Sequence, residues 1–63
     1  MEAVLNIVEE QYKRLSKGQR RIADYLLDSY NEAAFMTAAK LAEQVHVSES
    51  TVVRFAYALG LDG

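Results

Sequence analysis

The side chains best suited to chemistry lie between Ser48 and Arg54, where hydroxyl, carboxylate and guanidinium groups are closely spaced. These groups can donate and accept hydrogen bonds, but the chain has no plausible nucleophile–base pair, no metal-binding constellation and no glycine-rich phosphate loop. It has no cysteine, which excludes a disulfide and a thiolate zinc site, and His46, a lone histidine in a turn, is a poor candidate for a metal site. The sequence therefore predicts a binding surface without metal or cofactor, and not an enzyme.

Two short helices joined by a tight turn, over Leu41–Phe55, are predicted to position these side chains. Helical spacing gives each of the two helices one apolar face. Val47 lies in the turn, and Ser48 lies where the second helix must begin, with a hydroxyl that can cap an exposed backbone N–H. The two faces consist of Leu41, Ala42 and Val45, and of Val52, Phe55, Ala56 and Leu59. A steeply crossing pair of this kind places its second helix in a DNA major groove.

The same apolar spacing also occurs in ordinary small helical bundles, so spacing alone favours neither interpretation. The small Ala42 in the first helix permits a close, steep crossing that a bulky side chain would prevent. The apolar Val47 in the turn, and Val52 and Phe55 in the second helix, fit the same geometry. We therefore predict a DNA-binding helix-turn-helix over about residues 38–57.

The second helix of this motif is predicted to turn its polar face toward the bases, with its N-terminus leading into the groove. Arginine can bond a guanine edge bidentately, serine can bond several bases, glutamate can accept from cytosine, and valine can pack on a thymine methyl group. The predicted base-contacting residues are Ser48, Glu49, Ser50, Val53 and Arg54. The predicted phosphate-contacting residues of the motif are Thr51, Tyr57, Thr37 and Lys40, the last two at the start of its first helix. For each of these predicted base and phosphate contacts, the alternative is a side chain that is merely exposed to solvent. This alternative is weakest for Arg54.

Length and composition predict one small all-α domain. The chain has 63 residues and no proline, and it is rich in the helix formers alanine, leucine and glutamate. We expect a bundle of four to five helices of the homeodomain-like type, containing the helix-turn-helix. The longest apolar runs are too short for a transmembrane helix or a secretory signal, so a soluble, cytoplasmic protein without a membrane partner is expected.

Two further helices are predicted before the motif. The first covers about Glu2–Leu15, and the second begins at a capping box formed by Ser16 and Gln19 and ends near Tyr30. Their apolar stripes are Val4, Leu5, Val8, Tyr12 and Leu15, and then Ile22, Ala23, Leu26, Leu27 and Tyr30. Ile7 lies off the first stripe, so it is either singly exposed or part of a surface that contacts a partner subunit.

The segment between the second helix and the motif is expected to change direction over the core. Phe35 and Met36 are apolar without a helical period, and we expect both to seal the core at this point. Thr37 is then expected to cap the first helix of the motif.

Net charge is unusual for a DNA-binding domain, because nine acids against seven bases give −2. The cluster Lys17, Arg20 and Arg21 is predicted to contact phosphates, although a solvated face with Arg20–Asp24 and Arg21–Asp28 pairs is the alternative. One copy should hold DNA weakly. We therefore expect a homodimer that reads two half-sites, with helix 2–15, through Val4, Ile7 and Tyr12, in its interface.

The chain from Leu15 onward resembles the N-terminal domain of RpiR-type bacterial transcriptional regulators. The most specific matching segments are QRRIADYLL, FMTAAKLA and VSESTVVRFAYALGLDG, in the same order and spacing. The resemblance implies that the domain binds double-stranded operator DNA as a dimer. It also implies a following sugar-isomerase-like domain that senses a phosphorylated sugar. Since family members continue beyond the position of Gly63, the chain is expected to be the N-terminal part of such a regulator.

Two departures from the family pattern bear on affinity. His46 stands where the family often has glycine, in a turn position that tends to need a left-handed backbone. Tyr57 and Ala58 stand where a basic pair is frequent, which removes positive charge from the groove-facing helix. Operator binding weaker than that of a typical member is therefore expected. A helical protein–protein interaction module without DNA binding is the alternative function, favoured by the acidic balance and by apolar Val53 and Tyr57.

Overall fold

The computed structural model describes residues 2–60, apart from the side chain of Glu2, and this part of the chain contains four α-helices and no strand. The helices are α1 (Glu2–Gln11), α2 (Lys17–Ala33), α3 (Ala38–Val45) and α4 (Glu49–Ala58), and a 3-10 turn, Tyr12–Arg14, follows α1. The predicted all-α class is confirmed. None of these helices is long and apolar enough to cross a bilayer. The Leu61–Gly63 end of the family resemblance lies outside the described residues.

Helix α1 is shorter than predicted, because its last turn tightens into the 3-10 turn before Leu15. Val8 is fully buried and Leu15 is nearly so, as the apolar stripe predicted. Leu15 itself is extended, and its N–H bonds the Tyr12 carbonyl at 3.1 Å. The expectation of an exposed Ile7 is wrong, since Ile7 is half-buried and packs against the core.

Helix α2 begins at the predicted capping box. The Gln19 N–H donates to the Ser16 hydroxyl at 3.2 Å, and the Ser16 N–H donates to the Gln19 side-chain oxygen at 3.0 Å. The two bonds satisfy backbone donors that the helix itself leaves unpaired. They fix where α2 starts.

The far end of α2 differs from the prediction. The helix continues beyond Tyr30 to Ala33, and Ser29 is non-helical inside it, at φ −137° and ψ 48°. Leu27, predicted in the core stripe, is 40% exposed. At about 100° per residue, Leu27 lies a quarter-turn or more beyond Leu26, at the edge of the face that Ile22 and Ala23 define.

The turn after α2 separates Phe35 from Met36. Met36 packs against the core as predicted, but Phe35 is 92% exposed, so the prediction that it seals the core is wrong. The Phe35 N–H bonds the Glu32 carbonyl at 3.2 Å, and the Met36 N–H bonds the Ala33 carbonyl at 3.0 Å. In so tight a turn two consecutive side chains diverge, and only one of them reaches the interior.

A single apolar core joins the four helices. Helices α3 and α4 pack against each other and both pack on α2, and α1 also packs on α2. The buried apolar residues are Val8, Leu15, Ile22, Ala23, Leu26, Ala33, Leu41, Ala42, Val45, Val52, Phe55 and Leu59. Every buried residue of α3 and α4 was predicted, because both helices have an unambiguous apolar period.

Candidate nucleic-acid interface

Helix α3 starts at the predicted cap. The Thr37 hydroxyl accepts the Lys40 N–H at 3.1 Å, and the Thr37 backbone is extended, as an N-cap requires. Lys40 is exposed at this end of the helix and forms an ion pair with Glu43 at 3.2 Å. The predicted phosphate contact of Lys40 therefore competes with an acid on the same helix.

The turn between α3 and α4 is left-handed at His46, as predicted, with φ 60° and ψ 49°. The His46 N–H bonds the Glu43 carbonyl at 3.4 Å, and the Val47 N–H bonds the Ala42 carbonyl at 3.0 Å. This pair of bonds is the Schellman pattern, which usually has glycine at the left-handed position. The imidazole is exposed, so His46 serves the turn through its backbone.

Helix α4 divides its side chains cleanly between the core and solvent. Val52, Phe55 and Leu59 are buried. The opposite face carries the predicted recognition side chains Glu49, Ser50, Val53, Arg54 and Tyr57, and all of them are exposed. Val53 is 41% exposed and Tyr57 is 65% exposed, so an apolar strip runs beside the polar groups. Arg54 makes no hydrogen bond or ion pair with another described residue, and its guanidinium can therefore reach outward.

Ser48 caps α4 and links it to two neighbouring hydroxyls. Its Oγ accepts the Thr51 N–H at 3.2 Å and lies 2.8 Å from the Thr51 Oγ1 and 3.1 Å from the Ser50 Oγ. Thr51 is half-buried, unlike the other predicted contact residues of α4. The hydroxyl of Ser48 is thus partly committed to the helix start, while Ser50 is exposed beside it.

Both arginines of the basic cluster on α2 donate to backbone carbonyls, and within the described residues they do not form the ion pairs of the solvated-face alternative. The Arg20 Nε donates to the Tyr12 carbonyl at 3.3 Å and its Nη2 to the Lys13 carbonyl at 3.1 Å, and the guanidinium lies 5.3 Å from the Tyr12 ring centroid. The predicted Arg20–Asp24 pair is not formed within the described residues. Arg20 instead joins the end of α1 to α2. Lys17 is exposed at the first position of α2.

Arg21 makes a contact that the sequence did not predict. Its Nη1 donates to the His46 carbonyl at 3.1 Å, across 25 residues of sequence, in place of the predicted pairing with Asp28. One turn earlier on α2, a methyl group added at Gly18 would lie 3.7 Å from both the Val47 Cγ1 and the Thr51 Cγ2. The start of α2 therefore lies against the turn and the start of α4. No local sequence pattern signals either contact, because both depend on the tertiary packing of α2.

The α3–turn–α4 unit, with its capped second helix exposing one polar face, defines a helix-turn-helix domain, the DNA-binding class of domain found in transcriptional regulators. The chain belongs to the rpiR family of helix-turn-helix domains, whose family model matches residues 2–63. The resemblance in the sequence is thereby confirmed.

Three bacterial relatives carry similar sequences. The chain is 36% identical over 56 residues (89% of its length) to an uncharacterized HTH-type transcriptional regulator, YfhH, of Escherichia coli. It is 33% identical over 60 residues (95% of its length) to an uncharacterized HTH-type transcriptional regulator of Haemophilus influenzae. It is 32% identical over all 63 residues to the HTH-type transcriptional regulator HexR of Pseudomonas aeruginosa. The chain spans only 20–22% of the length of these relatives. No solved structure matches it.

Proposed function

We propose that this domain reads operator DNA through the exposed face of α4, as the DNA-binding part of a transcriptional regulator. The proposal rests on one observation, which is that α4 has one buried side and one exposed side. Its apolar side is buried against α2 and α3, while hydrogen-bonding and small apolar side chains occupy the exposed side. An α-helix presented in this way fits the major groove, where each base pair offers a distinct pattern of donors and acceptors.

Arg54 is the principal base reader in this proposal. It is exposed on α4 and has no partner among the described residues, and a guanidinium can bond the O6 and N7 atoms of guanine together. Glu49 and Ser50, in the first turn of α4, lie at the end that leads into the groove. Ser48 contributes a lone pair or its proton while it caps the helix, and Val53 packs on a thymine methyl group.

The remaining predicted contacts are to phosphates and supply affinity without sequence preference. Thr37 and Lys40 lie at the N-terminus of α3, where backbone N–H groups and the helix dipole favour an anion. Tyr57 is exposed farther along α4, and Thr51 offers its hydroxyl from a half-buried position. On α2, Lys17 is the freest of the predicted contacts, since Arg20 and Arg21 already donate to backbone carbonyls.

A homodimer is part of the proposal, because a net charge of −2 gives one copy a weak hold on DNA. Two copies double the phosphate contacts and read two half-sites about one helical turn, or a multiple of it, apart. The residues proposed for the interface are Val4 and Ile7 of α1 and Tyr12 of the 3-10 turn. All three are half-buried against this chain's own core, so only their exposed parts can contact a second copy. Sedimentation that finds only monomer at high concentration, with and without DNA, would remove the dimer from the proposal.

The relatives are about five times longer than this chain, which is consistent with an effector domain after the DNA-binding one. We propose a sugar-isomerase-like domain in that position, with a sugar phosphate bound there adjusting DNA affinity. The present domain then has no catalytic role. Its location is proposed to be the cytoplasm, where the DNA of a bacterial regulator lies.

The test combines selection with a salt titration. Rounds of enrichment from a random duplex library with the wild-type chain yield a selected duplex, and anisotropy then measures its affinity and that of random duplex at several salt concentrations. If the domain binds DNA, the logarithm of the association constant should fall linearly with the logarithm of the salt concentration. The slope should be about −0.9 for each phosphate contacted. Arg54→Ala should lose about 1–3 kcal/mol on the selected duplex and flatten preference at one base pair.

Arg14→Ala is the matched control, because Arg14 is an exposed arginine outside the proposed contacts. Equal losses on selected and random DNA with Arg54→Ala would reduce Arg54 to a phosphate contact. The alternative function, a protein-interaction module, predicts no salt-dependent binding and no enriched sequence with the wild-type chain.

A further inference from the structure

We propose that Arg21 is a positioning residue for the recognition helix, acting through the backbone of the turn and not through contact with DNA. The inference rests on the proposed function, since it concerns how α4 is held for reading. It assigns to Arg21 a role different from the phosphate contact that the sequence predicted.

One peptide group in the turn is held at both of its ends. The carbonyl of His46 accepts from the Arg21 Nη1 at 3.1 Å, and the N–H of the same peptide, at Val47, donates to the Ala42 carbonyl at 3.0 Å. The first bond ties the turn to α2 and the second ties it to α3. The plane of this peptide sets the direction in which the chain leaves α3 and enters α4, so Arg21 helps to fix the orientation of α4.

The start of α2, from which Arg21 makes this contact, is itself held in place by capping and packing. The capping box at Ser16 and Gln19 fixes the first turn of the helix. One turn before Arg21 lies Gly18, whose Cα faces Val47 and Thr51 closely enough that an added methyl group would touch both. Gly18 and Arg21 are three residues apart and therefore on one face of α2. This face contacts both the turn and the first turn of α4.

The surroundings of Arg21 favour this role over a phosphate contact. Arg21 and His46 border an open depression that Asp24 and Asp28 of α2 also line. The two carboxylates that line the same depression repel a phosphate that approaches Arg21 there, since like charges repel. A carbonyl acceptor carries no net charge and suffers no such repulsion.

Base recognition needs side chains held within about half an ångström of their productive geometry, whereas phosphate contacts tolerate more freedom. Loosening the turn should therefore reduce affinity for the selected duplex more than affinity for random duplex. Arg21→Met removes the donor and the charge while keeping much of the side-chain length. We expect it to lower affinity for the selected duplex by about tenfold and for random duplex by less than about twofold, with the salt slope unchanged.

Three comparisons distinguish a positioning role of Arg21 from a phosphate contact. Arg14→Met is the control for loss of one positive charge, and it should leave the ratio of selected to random affinity unchanged. Arg21→Met combined with Ser50→Ala should be non-additive on the selected duplex, because both changes act on the same end of α4. Without DNA, the Val47 amide should exchange hydrogen faster in Arg21→Met than in the wild-type chain, while the Ile22 amide should not.

Binding is measured well below the thermal midpoint of each variant, and Arg21→Leu, which also lacks a donor, replaces Arg21→Met if the latter does not fold. Equal losses on both duplexes with a shallower salt slope would make Arg21 a phosphate contact and overturn the proposal. Unchanged binding and unchanged Val47 exchange would overturn it as well. These results differ from failure of the proposed function, in which the wild-type chain itself would enrich no sequence and show no salt-dependent binding.

Discussion

The hydroxyl of Tyr12 donates a 2.8 Å hydrogen bond to the Asp24 Oδ1. Arg20 lies over the same tyrosine ring and donates to the Tyr12 and Lys13 carbonyls. Three side chains thus join the 3-10 turn after α1 to the middle of α2, at a place where an Arg20–Asp24 ion pair was one of the two alternatives drawn from the sequence. Asp24 accepts from Tyr12 instead, and Arg20 donates to carbonyls of the 3-10 turn, one of which, that of Tyr12, also accepts from the Leu15 N–H.

The Tyr12–Asp24 contact predicts a stability that depends on pH at the alkaline end. The hydrogen bond to Asp24 raises the pKa of the Tyr12 hydroxyl, and burial and the Asp24 charge raise it further, against the opposing charge of Arg20. A raised pKa means that the folded chain favours neutral Tyr12. The stabilisation is therefore fully present below about pH 10, the value for an unfolded tyrosine, and is lost as pH rises through the folded pKa.

Tyr12→Phe should accordingly be less stable than the wild-type chain at neutral pH, and the difference should shrink above about pH 10. Urea denaturation of both chains across neutral and alkaline pH measures this difference. Asp24→Asn is the control, since an amide oxygen can still accept from Tyr12 but carries no charge. Parallel stability curves for wild-type and Tyr12→Phe chains through the alkaline range would contradict the prediction.

Local chemistry made much of this fold readable from the sequence. Capping at Ser16, Thr37 and Ser48 follows from side-chain types and their spacing, and the left-handed turn at His46 was expected from the family resemblance. All four are confirmed. The exposed side of α4 follows from the same 3.6-residue period that marks its buried side. Because the core period is unambiguous there, exposure of the opposite face could be predicted too.

The wrong or missing predictions concern residues whose burial or hydrogen bonding depends on tertiary contacts. Phe35 is as apolar as any core residue, but the direction of the chain after α2 leaves it in solvent. Leu27 lies at the edge of its helical face, where a small rotation of α2 decides whether the side chain is buried or exposed. The bond from Arg21 to His46 joins segments whose proximity is fixed by packing alone, so no spacing rule could have found it.

The two phenylalanines of the chain provide a direct test of the corrected core. Phe55 is 3% exposed and Phe35 is 92% exposed. Phe55→Ala should cost about 3–5 kcal/mol of unfolding free energy, whereas Phe35→Ala should change it by less than about 0.5 kcal/mol. Thermal or urea denaturation measures both. A loss of several kcal/mol with Phe35→Ala would mean that Phe35 packs inside, as the sequence had suggested.

The left-handed backbone at His46 predicts that glycine is accepted there. His46→Gly removes an exposed imidazole and relieves the cost of a side chain at φ 60°, so it should be neutral or stabilising by up to about 1 kcal/mol. Gly60→Ala is the reverse experiment, because Gly60 has φ 71° and open space around it. It should destabilise by about 1 kcal/mol through the backbone alone. A clear drop in thermal midpoint for His46→Gly would show that the imidazole makes stabilising contacts.

The ion pair between Lys40 and Glu43 leads to a prediction about DNA affinity. Both side chains are well exposed, at 60% and 76%, so the pair adds little to stability. Glu43→Gln removes a negative charge beside the proposed phosphate site at the start of α3 and releases Lys40 from its partner. Random and selected duplexes should then both bind more tightly, and the salt slope should steepen by up to about one unit.

Glu10→Gln is the matched control, because Glu10 is also exposed and the substitution changes net charge equally, but Glu10 lies on α1, outside the α3–turn–α4 motif. The measurement is the salt dependence of anisotropy for the wild-type chain and both variants. If Lys40 contacts a phosphate, Glu43→Gln must raise affinity more than Glu10→Gln does, and the excess must fade as salt screens the charges. Equal gains from the two substitutions would show that only net charge matters, and Lys40 would then lose its assignment as a phosphate contact.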